Sequence, residues 1–466
     1  MNESAALEAW TLPPGVEVPD AVEEAVDGDG PGLLVPAVES GWIWEVARTL
    51  KRNRDALFDI PAREIVGAVG RTGARFLNPE DPLRARALEW LPRTSGLSLQ
   101  MASAVLDGMA RDWTEERLLR LLEVEFSEPE ALDGFVPGSE GRVRALGPAL
   151  CSQIVAGSVP GVGVTALVRA LLTKGSTLLK PGWGDVALPV LFARALREED
   201  LRVGGAVAVV YWHGGDEAVE DAALHSADVI TVYGDDDTVR SLRNRAPVTA
   251  RFVAYHHRVG IGVVGREVLG PERGRRAAME IAGAVGFFDQ RGCVSPQILY
   301  VEEGGAWSPE AFAAALGEAF DSLEDTLPAG GLDAHEASRV HQIRGAGELM
   351  AAAGSGAVYK GKGTSWTVLF QPDAEFPGAC VGRVLQVTPV ADIMETAERV
   401  APYGAHLQTV GVAGCGARTE RLAEALGRAG ATRVAGFVDV PFPPPWWHHD
   451  GQGPLEALIR WVDLED

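Results

Sequence analysis

From Ala145 onward the chain alternates short apolar runs with stretches whose apolar residues recur at helical spacing, the pattern of successive parallel βα units. The runs Leu150 to Val155, Ser176 to Leu179, Ala206 to Tyr211, Asp228 to Tyr233 and Arg251 to Tyr255 read as one series of strands, with helices such as Thr165 to Leu172 between them. A second series follows at Val259 to Val264, Gln297 to Val301, Trp366 to Phe370, Arg383 to Val387, Leu407 to Val412 and Arg433 to Val438. Ser308-Pro309-Glu310 pairs a capping hydroxyl with a proline in the first turn, so a helix is expected over Pro309 to Ser322. Before Ala145 the pattern is helical and loop-mixed, with apolar helical spacing at Ser98 to Met109 and Thr114 to Val124. Two α/β domains with a cleft between them are expected: residues 1–255 as a helical region plus a cofactor domain and residues 256–440 as a catalytic domain. Residues 441–466 form a proline- and tryptophan-rich tail packing back on the core and closing with an amphipathic helix, Leu455 to Val462.

Composition narrows the partners. At 466 residues with 46% apolar and 23% charged positions the chain has ample core and folds as an ordinary globular α/β protein. Its net charge of −23 repels phosphate backbones and acidic lipid, so no nucleic-acid partner is expected. The uncharged stretch from Ala145 to Val168 is broken by Pro148, Pro160 and several glycines, which reads as strand, loop and helix start rather than a membrane span. The N-terminus lacks a basic region ahead of an apolar one, and the four cysteines are widely spaced, so a reducing, cytoplasmic location is expected.

Three groups of residues could carry chemistry. The loop GSVPGVGVTA places Gly161-x-Gly163-x-x-Ala166 between a strand and a helix, imitating a dinucleotide fingerprint, but the next strand ends on Lys180 instead of an acid. Lys180 either meets ribose hydroxyls or a 2′-phosphate, or is a solvated turn lysine. Cys293, in FFDQRGCVSPQ, sits in a polar turn, as a nucleophile requires, whereas Cys151 and Cys380 lie in or near apolar runs; the neighbouring Gly292 would let a substrate approach the sulfur. His256-His257 and His448-His449-Asp450 lack the spacing of a zinc site, so no metal is expected; the latter group reads as a structural corner or a catalytic one.

Taken in order, AGSVPGVGVTALVRALLTKGSTLLKP, VVYWHGGD, ADVITVYGDD, FFDQRGCVSP, HLQTVGVAG and PPPWWHHDG with a closing RWVDLE resemble the LuxC-type acyl-CoA reductases, the fatty-acid reductase subunits within the aldehyde dehydrogenase superfamily. The resemblance spans about residues 95 to 466 and implies an aldehyde dehydrogenase-like α/β fold, with a Rossmann-type cofactor domain plus an α/β catalytic domain. It implies reduction of an acyl-CoA or acyl-protein thioester to an aldehyde through an acyl-cysteine on Cys293, using NADPH, with NADH as the other possibility. Ser158 stands at the oxyanion position, where the family usually has asparagine, and His257 matches the family histidine. Lys180, Gly214, Gly215, Tyr233 and Gly234 match positions that line the cofactor.

Other positions depart from the family. His256 replaces a common glycine and Gly260 a common serine, and the ribose-binding glutamate expected near Ala379 and Cys380 is absent. The stretch Tyr255-His256-His257-Arg258 holds no acid where oxidising aldehyde dehydrogenases keep their water-activating glutamate, which favours aldehyde release over hydrolysis. By analogy the family also implies an adenylating acyl-protein synthetase as acyl-donating partner, and a homodimer or homotetramer. An oxidising aldehyde dehydrogenase and a catalytically silent scaffold subunit are the competing readings.

Overall fold

The computed structural model describes residues 6–27, 30–372, 378 and 380–465. The chain divides into two compact units, one of Met1–Ser95, Leu106–His256 and Pro444–Asp466, the other of Gly96–Val105 and His257–Pro443. The short helical stretch Gly96–Val105 thus packs with the second unit, although it lies within the span read as the first domain.

The first unit includes, in chain order, β1 (Trp10–Thr11), α1 (Ser40–Asn53), β2 (Arg142–Leu146), β3 (Cys151–Val155), α2 (Val162–Leu172), β4 (Thr177–Lys180), α3 (Ala187–Glu199), β5 (Val207–Val210), α4 (Glu217–His225), β6 (Val229–Tyr233), α5 (Asp236–Arg245) and β7 (Arg251–Tyr255). They build a six-stranded sheet in the order β7-β6-β3-β4-β5-β1, parallel except for the edge strand β1. The central strands read CSQIV, VAVV and VITVY because both faces are covered, so every position is apolar or hydrogen-bonded and almost all are buried. The chain runs outward from β3 through β4 and β5, then returns to place β6 on the other side of β3. That reversal leaves a crevice at the carboxyl ends of β3 and β6, where open α/β sheets bind ligands.

The second unit contains β8 (Val259–Val264), α6 (Pro271–Gly286), β9 (Pro296–Glu302), α7 (Pro309–Thr326), α8 (Ala334–Ala352), β10 (Ala357–Lys360), β11 (Thr367–Phe370), β12 (Val384–Val390), β13 (Leu407–Ala413), α9 (Thr419–Arg428) and β14 (Arg433–Gly436). Its seven-stranded sheet has the order β10-β11-β12-β9-β8-β13-β14, again parallel but for one edge strand, β10. Ser308 caps α7 as its sequence requires, its hydroxyl accepting from Ala311 N at 3.1 Å behind Pro309.

The tail departs from expectation. Leu455 to Val462 is not a helix: a single turn, Glu456–Leu458, leads into β15 (Arg460–Leu464), which pairs antiparallel with β2. Its helical spacing is overridden by backbone pairing to a strand far away in the sequence. Upstream, Trp447 and His449 stack at 4.6 Å, His449 stacks on Tyr255 at 4.3 Å, and Tyr255 on Tyr233 at 4.4 Å. His449 is thus stacked among aromatic rings at the carboxyl ends of β6 and β7. Among the described residues, no helix is long and apolar enough to cross a membrane.

Candidate active site

The crevice at the carboxyl ends of β3 and β6 is a cavity of about 590 Å³, lined among others by Val155, Ala156, Lys180, Gly214, Gly215, Tyr233 and Gly234. Five of the residues singled out from sequence are thus brought to one place. Gly215 has φ +93°, open to glycine at no steric cost, and a Cβ on Gly214 or Gly215 would meet nothing within 4 Å, so this wall is bare backbone. The ring of Tyr233 is stacked on Tyr255, and its hydroxyl accepts from Arg169 Nη1 at 3.4 Å; burial holds the phenol above its usual range.

Charge in this cavity is mostly spoken for. Glu220 is paired with Arg245 and accepts from Gly215 N at 3.1 Å, Asp237 is paired with Arg240 at 2.5 Å, and Asp235 caps α5 by accepting from Thr238 N at 2.7 Å. Asp235 is thus turned to its own helix. Lys180 lies with Nζ 5.5 Å from the Tyr211 ring centroid, and among the described residues no carboxylate is ion-paired with it. Burial pushes its ammonium below the usual lysine range, with Glu220 pulling it back up. Four glycines, Gly182, Gly214, Gly215 and Gly234, and a half-buried lysine without an ion-paired carboxylate, at a switch point, fit a dinucleotide phosphate.

The glycine loop ahead of α2 plays a different part from the one its fingerprint suggests. Asp185 lies wholly buried with one carboxylate oxygen 2.7 Å from Gly161 N and the other 2.7 Å from Gly163 N. A protein carboxylate therefore takes the donors that a pyrophosphate would use, and the ligand cavity lies beside α5 instead. Burial raises the Asp185 carboxyl to about 7, against the lowering pull of those two amides. Ser158, in the loop following β3, is exposed.

In the second unit, Cys293 and His257 come to the same end of neighbouring strands. β8 and β9 are parallel with Gly260 opposite Pro296, so His257 and Cys293 each stand three residues before a paired position. His406 precedes β13 on the other flank of β8; its Nδ1 lies 3.1 Å from the His257 carbonyl oxygen, and the two rings are 6.3 Å apart. Cys293 is exposed, whereas Cys151, Cys380 and Cys415 are buried. Burial pushes the Cys151 thiol up to about 12 and that of Cys415 to about 11, and raises Cys380 as well. Cys293 is thus the thiol open to reaction.

The cysteine loop is held under strain. Phe288, Asp289 and Gln290 have φ values of +59°, +50° and +65°, a left-handed run that costs roughly 1–2 kcal/mol per residue and persists only when clamped. The clamps are buried side chains. Gln290 donates to the Pro296 and Val384 carbonyls at 2.9 and 2.6 Å and accepts from Val384 N at 2.7 Å. Asp289 accepts from Gly330 N at 3.0 Å and pairs with Arg383, whose guanidinium lies 2.8 Å away and also reaches Glu324 and the Leu327 carbonyl. Arg291 is tied to Glu336 at 3.0 Å.

Glycines on either side serve the same packing. A Cβ on Gly292 would lie 3.1 Å from Ser295 Oγ and 3.5 Å from Phe288, so the loop's own residues pack closely on this glycine. At Gly260 a Cβ would lie 2.5 Å from Val294 O and 2.7 Å from Ser295 O, so the backbone after Cys293 packs directly on this residue. His256 turns to α5, with Nδ1 3.6 Å from Asp236 Oδ1. Cys380 is buried, its thiol on the Val381 carbonyl at 3.2 Å, and Ala379 lies outside the described residues. Reading the sequence missed His406, Asp289 and Arg383: the first lies in the family-like stretch HLQTVGVAG and the second in the FDQ ahead of the cysteine, while Arg383 stood only as the start of a strand.

Comparison with known proteins shows the family and the fold. The family model for Acyl-CoA reductase (LuxC) matches residues 57–461. The chain is 26% identical over 358 residues to long-chain acyl-protein thioester reductase 2 of Photobacterium leiognathi, covering 76% of this chain and 71% of that protein. It is 24% identical over 408 residues to the long-chain acyl-protein thioester reductase of Photobacterium phosphoreum, covering 86% and 80%. The fold is that of aldehyde dehydrogenases. A salicylaldehyde dehydrogenase from Pseudomonas putida G7 superposes with a TM-score of 0.77 at 13% identity, covering 99% of this chain and 98% of the other. An NADP-dependent glyceraldehyde-3-phosphate dehydrogenase from Bacillus halodurans C-125, solved with NADP, superposes with a TM-score of 0.72 at 14% identity, covering 96% and 95%.

Proposed function

We propose that this chain, which belongs to the acyl-CoA reductase (LuxC) family, reduces an activated acyl group, carried as an acyl-CoA or acyl-protein thioester, to an aldehyde through a covalent acyl-cysteine on Cys293. The observation that carries the reading is the exposure of Cys293 on a clamped loop, with the other three thiols buried. Its thiolate attacks the thioester carbonyl, the new C–S bond forms, and the original thiol leaves. His257, exposed at the same strand end with its carbonyl held by His406, is assigned to protonate that leaving thiolate. The Cys293 backbone N–H and the Ser158 hydroxyl are assigned to the developing oxyanion.

Lys180, Gly214, Gly215, Tyr233 and Gly234 would hold the dinucleotide, with Lys180 toward a 2′-phosphate, which makes NADPH the preferred form. A bound reduced nicotinamide supplies the hydride. Cys293 sulfur is then the leaving group as aldehyde departs, and the stretch from Tyr255 to Arg258 supplies no carboxylate to activate water against the acyl-enzyme. The acyl donor is either CoA or an adenylating acyl-protein synthetase.

The test is intact-mass spectrometry after brief incubation with a panel of acyl-CoAs, with and without NADPH, with Cys293→Ala as control. One acyl adduct is expected, mapping to Cys293 and discharged as aldehyde by NADPH. No adduct from any donor, including one delivered by an adenylating partner, would overturn the reading in favour of a silent scaffold.

A further inference from the structure

The first sheet carries a second cavity at the end opposite the glycine-lined one. About 440 Å³ in volume, it lies where β3, β6 and β7 begin and is lined by Gly147, Asp228, Arg54, Arg251 and Arg460 among others. Three guanidinium groups face one carboxylate, in a chain that carries 65 acidic residues against 42 basic ones. With acids in such excess, arginines are expected to find carboxylate partners, as Arg383, Arg418 and Arg245 do. Among the described residues Arg54, Arg251 and Arg460 have none.

Two of the three are fixed in place by backbone oxygens. Arg54 donates to the Gly147 and Lys174 carbonyls at 2.6 and 3.2 Å and rests over the Phe58 ring at 4.2 Å. Arg251 donates through Nη1 to the Ile459 and Ala457 carbonyls at 2.5 and 3.2 Å. These bonds orient the forks without neutralising their charge. The side chain of Arg460, exposed at the start of β15, makes no hydrogen bond or ion pair among the described residues, and Arg144 on β2, whose Nε is buried without a partner, acts on Arg54 from outside the lining. Burial lowers the Arg54 guanidinium, Asp228 and Asp55 pull it back up, and Arg460 and Arg144 press it down more weakly than those two carboxylates raise it. One oxygen of Asp228 is already engaged, accepting from Leu150 N at 3.1 Å.

We propose that this cavity binds a diphosphate anion, carried free as inorganic pyrophosphate or on a nucleoside. Planar forks around a concave site match phosphoryl oxygens bidentately, and two linked phosphates supply enough charge to answer three arginines. The volume falls within the range of about 300–1,000 Å³ typical of small-molecule sites, which leaves room for a nucleoside beside the phosphates.

The experiment is isothermal titration of the full-length protein with inorganic pyrophosphate and, separately, with ADP, at fixed ionic strength. Three variants accompany it: Arg460→Gln, Arg460→Lys and Lys180→Gln. Arg460 is exposed and supports no backbone, so its replacement leaves the fold intact, whereas Arg54 holds two carbonyls. With the dinucleotide cavity filled by saturating NADPH, saturable pyrophosphate binding is expected, weakened about tenfold by Arg460→Gln, less by Arg460→Lys, and unchanged by Lys180→Gln. ADP binding more tightly than pyrophosphate, with the same sensitivity to Arg460, identifies the nucleotide as source; equal or weaker ADP binding identifies the free anion. No saturable binding of either probe, or binding that responds to Lys180→Gln and not to Arg460→Gln, would overturn the proposal.

Discussion

Replacing Gly260 by alanine tests how tightly the strand below the cysteine loop dictates its position. The added Cβ would sit 2.5 Å from the Val294 carbonyl oxygen and 2.7 Å from that of Ser295, both backbone atoms immediately after Cys293. Carbon and carbonyl oxygen settle no closer than about 3.3 Å, so the loop backbone must retreat by about 0.8 Å. Gly260 cannot yield easily, because β8 is pinned between β9 and β13 and already shifts register at this point. Overpacking of this kind costs about 1–3 kcal/mol of stability. A displacement near 1 Å at a nucleophile costs about 100-fold in rate, so single-turnover acylation is expected to fall by about 10- to 100-fold. Gly283→Ala, in α6 where a Cβ meets nothing within 4 Å, is the matched control and is expected to leave acylation unchanged. The assay is rapid-quench acylation by an acyl-CoA, alongside the iodoacetamide reaction of Cys293. A folded Gly260→Ala protein that acylates at the wild-type rate would refute the claim that this contact positions the sulfur.

Arg383→Met strips the buried Asp289 carboxylate of its partner at 2.8 Å and should destabilise the protein by about 3–5 kcal/mol in urea unfolding; a loss under about 1 kcal/mol would contradict the clamp. Asp185, raised from 3.8 to about 7, holds its proton more readily in the folded state than in the unfolded one. Wild-type stability should therefore decline relative to Asp185→Asn as pH rises from about 4 through 7, read from denaturation curves across that window, and a constant difference would refute the shift. Lys180→Gln should raise the KM for NADPH about tenfold and that for NADH less, so an equal effect on both would remove the lysine from the 2′-phosphate. Brief iodoacetamide treatment should label Cys293 ahead of the three buried thiols, and peptide mapping that finds Cys380 or Cys415 labelled first would reverse the assignment.

Local signals were legible where local forces decide the structure. The apolar runs located all eleven strands of the two βα series to within a few residues, because a strand buried on both faces must be apolar throughout, and Ser308-Pro309 marked a helix start because its cap is made from adjacent residues. The failures share a cause. The residues from Leu455 to Val462 carry helical spacing, yet Arg460–Leu464 is a strand, since its partner Arg142–Leu146 lies at the far end of the first unit's sequence. The glycine loop reads as a phosphate cradle until Asp185, on a later turn, is seen to accept from both of its amides.

The same distinction governs the candidate nucleophile. FDQRGC marks Cys293 as sitting in a polar turn, but the reason that turn holds its shape is distributed over Arg383, Glu324, Gly330 and Val384, none of which is adjacent in sequence. Parallel pairing then supplies what no motif states. Because β8 lies between β9 and β13 in register, the residues preceding all three strands, His257, Cys293 and His406, converge on one end of the sheet. A thiol, its flanking histidines and a left-handed run of three residues are thus consequences of strand order together with a buried ion pair. It follows that variants of Arg383 and Gly260, which are set back from the reacting atoms, should affect acylation more than variants of exposed loop residues nearer Cys293 in the chain.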